Sequence, residues 1–339
     1  MRKWWGFVLV LALVGFFGGA AQADGFPTFH ITSDIDGTPN LHYSLPEGAV
    51  TARLVRSTSD LAMSADPIEF PVAFIELDIT ESFYKDVRVP QGVEVYYRIE
   101  VSSENGLRES QVACVWVPEP TVGYLSRPHL MVDKLNYTML LMDGDKVVRR
   151  FPVALGANPT RRKLHFDRAS TPEGIYKIVN LQPQAYYHKA FDINYPNSVD
   201  KARYHMSAKL GTLPASRPDI GGEIQIHGGG IDQNWTWGCI ALRDFDMDWL
   251  FTRPELKRGV QVAIAGSELQ FDDLQAIAST TAQEKQRYLN TLRDLGMGED
   301  SSFAAAVGRF QFQSRLPVTT QLDLRTRELL ERYIKVGAR

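Results

Sequence analysis

IQIHGGGIDQNWTWGCIALRDFDMDWL, residues 224–250, is the stretch around which the rest of this chain is organised. A short apolar alternation (Ile224, Ile226) ends at His227, three glycines and a polar loop follow, and Cys239 stands inside Thr-Trp-Gly-Cys-Ile-Ala-Leu. Cys239 is one of only 2 cysteines in 339 residues. The interval predicts two adjacent strands, joined by the glycine-rich loop, that bring imidazole and thiol together at one end of a sheet. Glycine suits both ends: Gly228, Gly229 and Gly230 permit positive φ after the histidine, and Gly238 leaves backbone N–H groups near Cys239 to face a developing oxyanion. A free thiol with a pKa of about 8.5 is mostly protonated at neutral pH and needs a base beside it to act as a nucleophile. Cysteine acyl transfer uses that pairing. Three readings stand side by side: a small packed cysteine near a structural histidine, a catalytic pair, and a zinc site. Position in a glycine-rich loop, off any periodic apolar face, favours the catalytic pair. The other histidines (His30, His42, His129, His165, His188, His205) form no HxxxH pattern and the cysteines no CxxC pattern, which speaks against a metal.

The segment resembles the active-site motif of the L,D-transpeptidase (YkuD-domain) family, a His-Gly followed by Ser/Thr-x-Gly-Cys and an apolar residue. His227-Gly228 and Thr236-Trp237-Gly238-Cys239-Ile240 match it position by position. The resemblance implies Cys239 as nucleophile, His227 as its base, and a backbone carbonyl near Gly228 that orients the imidazole. Gly238 and Trp237 would frame the oxyanion site. Many family members carry His where Trp237 stands and Arg where Ala241 stands, and their interval from histidine to cysteine is often longer. Thr171-Pro172-Glu173-Gly174 and Tyr195-Pro196-Asn197 with Asp200 also recur in the family, so the resemblance spans about 130–265.

Within that span, Met139 to Met142 and Lys146 to Ala154 bracket the turn Asp143-Gly144-Asp145 and predict a hairpin. Arg161, Arg162 and Lys163 form the main basic cluster, expected as a solvated loop, with Lys163 also a candidate contact for substrate carboxylates. Arg243 is a candidate to supply the charge that the family arginine gives elsewhere, and Tyr187 a candidate to line the cleft.

Residues 24–118 read as a run of strands. Val93, Val95, Tyr97, Ile99 and Val101 share one face, Asn105-Gly106 turns the chain into a second strand ending at Val117, and Ala73, Ile75, Leu77 and Ile79 mark an earlier strand. A small β-sandwich is expected, and 82–110 resembles a fibronectin type III module in its final strands. Val112, Cys114 and Trp116 share a face that is expected to be packed, so Cys114 reads as a core thiol. Two prolines, Pro118 and Pro120, mark a domain boundary. Residues 1–23 read as a secretory signal peptide: Arg2 and Lys3, an uncharged run from Trp4 to Phe17, then Ala21-Gln22-Ala23. The run is shorter than the roughly 20 residues of a spanning helix. Loss of two positive charges would move the formal balance from −3 to −5, which gives no electrostatic footprint for nucleic acid.

After Gly266 the pattern turns helical: Leu289, Leu292 and Leu295 recur before Gly296, then Phe303, Ala306, Val307 and Phe310. This part is similar to peptidoglycan-binding repeats of the three-helix kind, with Arg315 and Thr320 where that family usually has glycine. The expectation is a mainly β chain with a C-terminal helical module: signal peptide 1–23, fibronectin type III-like sandwich 24–118, L,D-transpeptidase-like β domain 129–266, and peptidoglycan-binding-like domain 270–339. The resemblance implies a periplasmic or secreted, cell-wall-associated enzyme that takes a peptidoglycan stem tetrapeptide as donor and an amine as acceptor, with no cofactor or metal and no membrane span after signal cleavage. A hydrolase of the same site and a catalytically idle wall-binding protein are the alternatives.

Overall fold

A computed structural model describes residues 25–63, 69–167, 169–216, 218–297 and 302–337; the signal-peptide expectation lies outside the described residues. The N-terminal strands are β1 (Thr28–Ser33), β2 (Pro39–Ser44), β3 (Ala49–Ser57), β4 (Val72–Leu77), β5 (Phe83–Lys85), β6 (Val93–Ser103), β7 (Gly106–Glu109) and β8 (Ala113–Val117). They form two antiparallel sheets, β1-β2-β5 and β4-β3-β6-β7 with β8 also on β6. Alternation decides the packing: Val95, Tyr97, Ile99 and Val101 of β6 are buried against Leu41, Leu54 and Val117. One expectation is corrected here. Val117 points inward with Val115, so Val112, Cys114 and Trp116 face solvent, and Trp116 is 60% exposed. Strand period 2 fixes the set of residues that share a face but leaves open which set packs inward.

The central sheet joins β9 (Pro128–Asp133), β10 (Thr138–Asp143), β11 (Lys146–Pro152), β12 (Gly174–Ala185), β13 (His188–Ile193), β14 (Gln225–His227), β15 (Ile240–Ala241) and β16 (Gln261–Ala265) in the order β11-β10-β9-β16-β12-β13-β14-β15. Its two ends meet. Ala154, just past β11, donates to the Ala241 carbonyl at 3.0 Å and accepts from the Ala241 N–H at 2.9 Å, so the sheet curls round its core. That core holds Leu130, Val132, Met139, Phe151, Tyr176, Ile178, Phe191, Ile226, Ile240 and Leu242. The expected hairpin turns at Gly144. Helix α1 (Ser198–Lys209) starts at a capping box in which Asn197 accepts from the N–H groups of Val199 and Asp200 while Asp200 accepts from that of Asn197. Helix α2 (Asp244–Phe251) follows β15, and α3 (Phe271–Ser279) covers Ala263 and Ala265 of β16.

Helices α4 (Ala282–Asp294), α5 (Phe303–Gln313) and α6 (Leu324–Gly337) enclose a separate core of Tyr288, Leu292, Ala306, Val307, Phe310 and Leu330. Both α4 and α5 end in a Schellman cap. In α4 the left-handed residue is Gly296, with Gly296 N–H on Arg293 O and Met297 N–H on Leu292 O; in α5 it is Arg315, with Arg315 N–H on Phe312 O and Leu316 N–H on Gln311 O. Arg315 and Thr320 both have φ +57°.

Neither flanking unit hangs free. Arg56 of β3, 2% exposed, pairs with Asp86 at 2.6 Å and donates to the Asn136 carbonyl at 2.8 Å. On the other side Arg162 donates to Thr319 O at 3.4 Å, Arg203 to Val318 O at 3.3 Å, and the Thr320 hydroxyl to Val199 O at 3.3 Å.

Candidate active site

His227 ends β14, and parallel pairing sets Ile226 opposite Ile240 and His227 opposite Ala241. Ile226 and Ile240 point into the core, which turns Gln225, His227, Cys239 and Ala241 to the other face. His227 and Cys239 are therefore diagonal neighbours on adjacent strands, as the interval predicted. The imidazole is 1% exposed. Its Nδ1 donates to the Gly228 carbonyl at 2.6 Å, which assigns the proton to Nδ1 and leaves Nε2 as the basic nitrogen. Tyr187 stacks on the ring at 5.0 Å between centroids and Trp235 meets it edge-on at 5.4 Å.

Cys239 immediately precedes β15. Its Sγ accepts from the Gln225 N–H at 3.4 Å and donates to the Glu223 carbonyl at 3.6 Å. Burial pushes the thiol pKa up, against the opposing pull of the Gln225 N–H and the Lys163 charge. Burial pushes His227 down, with the Gly228 carbonyl acting the other way. Both shifts favour the neutral forms, thiol and imidazole. Thr236 braces the loop, since its hydroxyl donates to Cys239 O at 2.7 Å and accepts from the Gly238 N–H at 3.2 Å. Gly238 has φ +116°, and a Cβ there would lie 2.5 Å from Ser170 O.

Several expected contributors are placed differently. The Gly238 N–H is not free for an oxyanion, because Thr236 takes it. Arg243 turns away: it pairs with Asp246 at 2.5 Å and donates to Gly92 O at 2.6 Å, bracing the N-terminal sandwich. The basic cluster is no solvated loop beyond Arg161. Arg162 is buried against Glu268 and Thr319, and Lys163 is 3% exposed with its ammonium 3.3 Å from Asp167. Lys163, buried and paired with Asp167, is not an open substrate contact. Tyr187 and Trp237 are 41% and 60% exposed, on the His227 side and in the cysteine loop. The motif contains Thr236 but says nothing of its bracing hydroxyl, and Trp235 and Asp192 lie outside the motif. For Asp192 a trace existed in the alternation of β13, where Phe191 and Ile193 are core and Asp192 must face as His227 does.

Comparison with known proteins bears on the same segment. Residues 127–264 match the family model of the L,D-transpeptidase catalytic domain, YkuD. Residues 127–264 are a YkuD L,D-transpeptidase catalytic domain. The YkuD domain so delimited holds His227, Cys239 and the strands that carry them, beginning one residue before β9 and ending one before the close of β16. Among solved structures, the chain is similar to an L,D-transpeptidase from Xylanimonas cellulosilytica (16% identity, 43% of this chain and 63% of that chain, TM-score 0.29). It is also similar to an L,D-transpeptidase from Mycobacterium smegmatis (12% identity, 70% and 100%, TM-score 0.27) and to an Fn3-like protein from Clostridium thermocellum (24% identity, 30% and 100%, TM-score 0.22). The chain spans 63% of the length of the first of these. No curated protein matches the chain.

Proposed function

We propose that the chain is a cysteine-dependent L,D-transpeptidase of peptidoglycan stem peptides. What supports this most is the fixed tautomer of His227: with Nδ1–H held by Gly228 O, Nε2 is the one nitrogen able to take a proton, on the face that also bears Cys239. In the proposed reaction Nε2 takes the thiol proton as Sγ bonds to the carbonyl carbon between an L-centre and the terminal D-alanine. The carbonyl π pair moves to oxygen, where the N–H of Gly238 is already engaged by Thr236 and the oxyanion draws on other donors of the cysteine loop. Collapse re-forms the carbonyl and breaks the C–N bond, and the imidazolium returns its proton to the departing D-alanine amine. Tyr187, stacked on the imidazole, offers its ring face to the imidazolium while it lasts. A neutral amine then attacks the thioester, gives its proton through His227 to sulfur, and leaves joined to the acyl group. Diaminopimelate on a neighbouring stem, a lipoprotein lysine and a free D-amino acid are acceptors of this chemistry. The substrate places the enzyme in the periplasm or outside the cell, and N-terminal sequencing of the exported protein, expected to begin at Asp24, checks that placement.

The test is incubation with disaccharide tetrapeptide. The expected outcome is an acyl adduct on Cys239 by mass spectrometry with D-alanine released, abolished in Cys239→Ala and slowed by roughly 10² to 10⁴ in His227→Ala. Amine-dependent products mark transfer, whereas tripeptide alone marks hydrolysis of the same thioester. With neither adduct nor D-alanine from several stem peptides, the chain is a wall-binding protein.

A further inference from the structure

We propose that Asp192 is a specificity-determining residue for the acyl donor, where it receives the ammonium of a diamino-acid side chain whose carbonyl is attacked at Cys239. This rests on the function proposed above. The register lays out a cross-strand row on the open face of the sheet: Cys239 beside Gln225, Gln225 opposite Asp192, and Asp192 opposite Asn180. The next row is Ala241, His227, Ala190 and Gln182. Asp192 thus shares its face with the nucleophile and the base.

Its surroundings are those of a carboxylate held in place but not neutralised. Oδ1 accepts from Gln182 Nε2 and Gln225 Nε2, both at 2.7 Å, and Oδ2 from Asn180 Nδ2 at 3.0 Å and Gln182 Nε2 at 2.9 Å. Every donor is a neutral amide. Among the described residues no Lys or Arg forms an ion pair with this half-buried carboxylate. Elsewhere in this chain buried carboxylates such as Asp86, Glu173 and Asp246 do have such a cation. Because Gln182 and Gln225 spend their NH₂ groups on Asp192, their Oε1 atoms remain acceptors. A carboxylate with no cation paired to it suits the charge of an ammonium.

Reach also fits. Two strand spacings, about 9.5 Å, separate the Cys239 and Asp192 positions. A side chain bearing its amine four carbons beyond Cα covers that gap when its carbonyl lies about 3–3.5 Å from sulfur. An acceptor amine cannot be the occupant, since it must be neutral and within the same short distance of the thioester carbon.

The experiment compares two tetrapeptide donors with the full chain, one with the free side-chain amine at the third residue and one with that amine acetylated. Wild type is expected to favour the free amine by about 10- to 100-fold in kcat/KM, the worth of one charged hydrogen bond. In Asp192→Asn that ratio is expected to fall to near one. Binding of both peptides to Cys239→Ala protein, which cannot react, should show the same preference as a ratio of Kd. A wild-type ratio near one, or a ratio that survives in Asp192→Asn, overturns the proposal. If Asp192→Asn does not fold, Gln182→Ala, which removes two of the four aligning hydrogen bonds, is expected to cut the ratio several-fold, and an unchanged ratio counts against it. Binding preference without turnover would refute the proposed reaction while leaving the Asp192 site standing.

Discussion

Cys239 and His227 are each held away from their charged forms, and the two shifts set opposite edges to the working pH range. The His227 pKa is lowered by burial below its ordinary value of 6.5. As pH falls through 6.5 the unfolded chain takes up the proton first, so stability is full above that value and is lost towards the folded pKa. The Cys239 pKa is raised by burial, so the unfolded thiol ionises first and stability is lost as pH rises above the ordinary thiol range. Urea melts from pH 5 to 10 should show both declines, and Cys239→Ala should remove only the alkaline one. Iodoacetamide labelling of Cys239 is expected to rise continuously with pH past 8.5, whereas a resting thiolate–imidazolium pair would give a plateau below neutrality. Gly238→Ala should abolish activity, because a Cβ 2.5 Å from Ser170 O at φ +116° forces the cysteine loop out of place. Thr236→Val, which removes the hydroxyl bridge between Gly238 N–H and Cys239 O, is expected to cost about 1–2 kcal/mol in denaturant melts and to lower kcat more than it raises KM.

The two Schellman caps pose the same backbone problem with different residues. Gly296 adopts positive φ without a Cβ penalty, while Arg315 carries one in an exposed position. Arg315→Gly should therefore raise stability by about 1 kcal/mol, seen as a higher midpoint in thermal melts. Thr320, with the same φ, is a different case, since its hydroxyl bonds Val199 O and its methyl would lie 2.9 Å from a Cβ on Gly308. Strands with unbroken alternation, such as β6, were legible because burial and period agree along their length. The face of β8 was not, as both of its sides carry apolar residues and only the partner sheet decides between them. The burial of Arg162 and Lys163 was hidden for another reason. Their partners Thr319, Glu268 and Asp167 come in part from segments more than a hundred residues away, and a charge run on its own looks solvated. The placement of His227 and Cys239 on one face of adjacent strands was legible because their spacing and the glycines between them lie in one short stretch. Asp192 draws its meaning from three other strands.

At the scale of the whole molecule, the flanking units act as walls of the catalytic domain. Arg56→Met would leave Asp86 buried beside Tyr97 without its cation and cut the tie to Asn136, a loss of about 3–5 kcal/mol expected in denaturant melts. Deletion of residues 289–339 is expected to lower the melting midpoint of the remaining chain and to reduce turnover of soluble muropeptides. Arg162 and Arg203 would lose the Thr319 and Val318 carbonyls, and Arg203 also holds Lys163 O at 3.1 Å. Unchanged turnover after deletion would show that docking serves stability alone, and co-sedimentation with sacculi would then report any glycan binding separately.

The bridge between Ala154 and Ala241 also fixes the order in which a chain emerging from its N-terminus can close its central sheet. Everything from β9 to β16 must exist before the ring can shut, because β16 alone joins β9 to β12, and closure over so long a span comes late in assembly. Until then β15, which follows Cys239, has a strand partner on one side only, β14. Under the function proposed above, a chain truncated before β16 would carry Cys239 and His227 without the closed sheet around them.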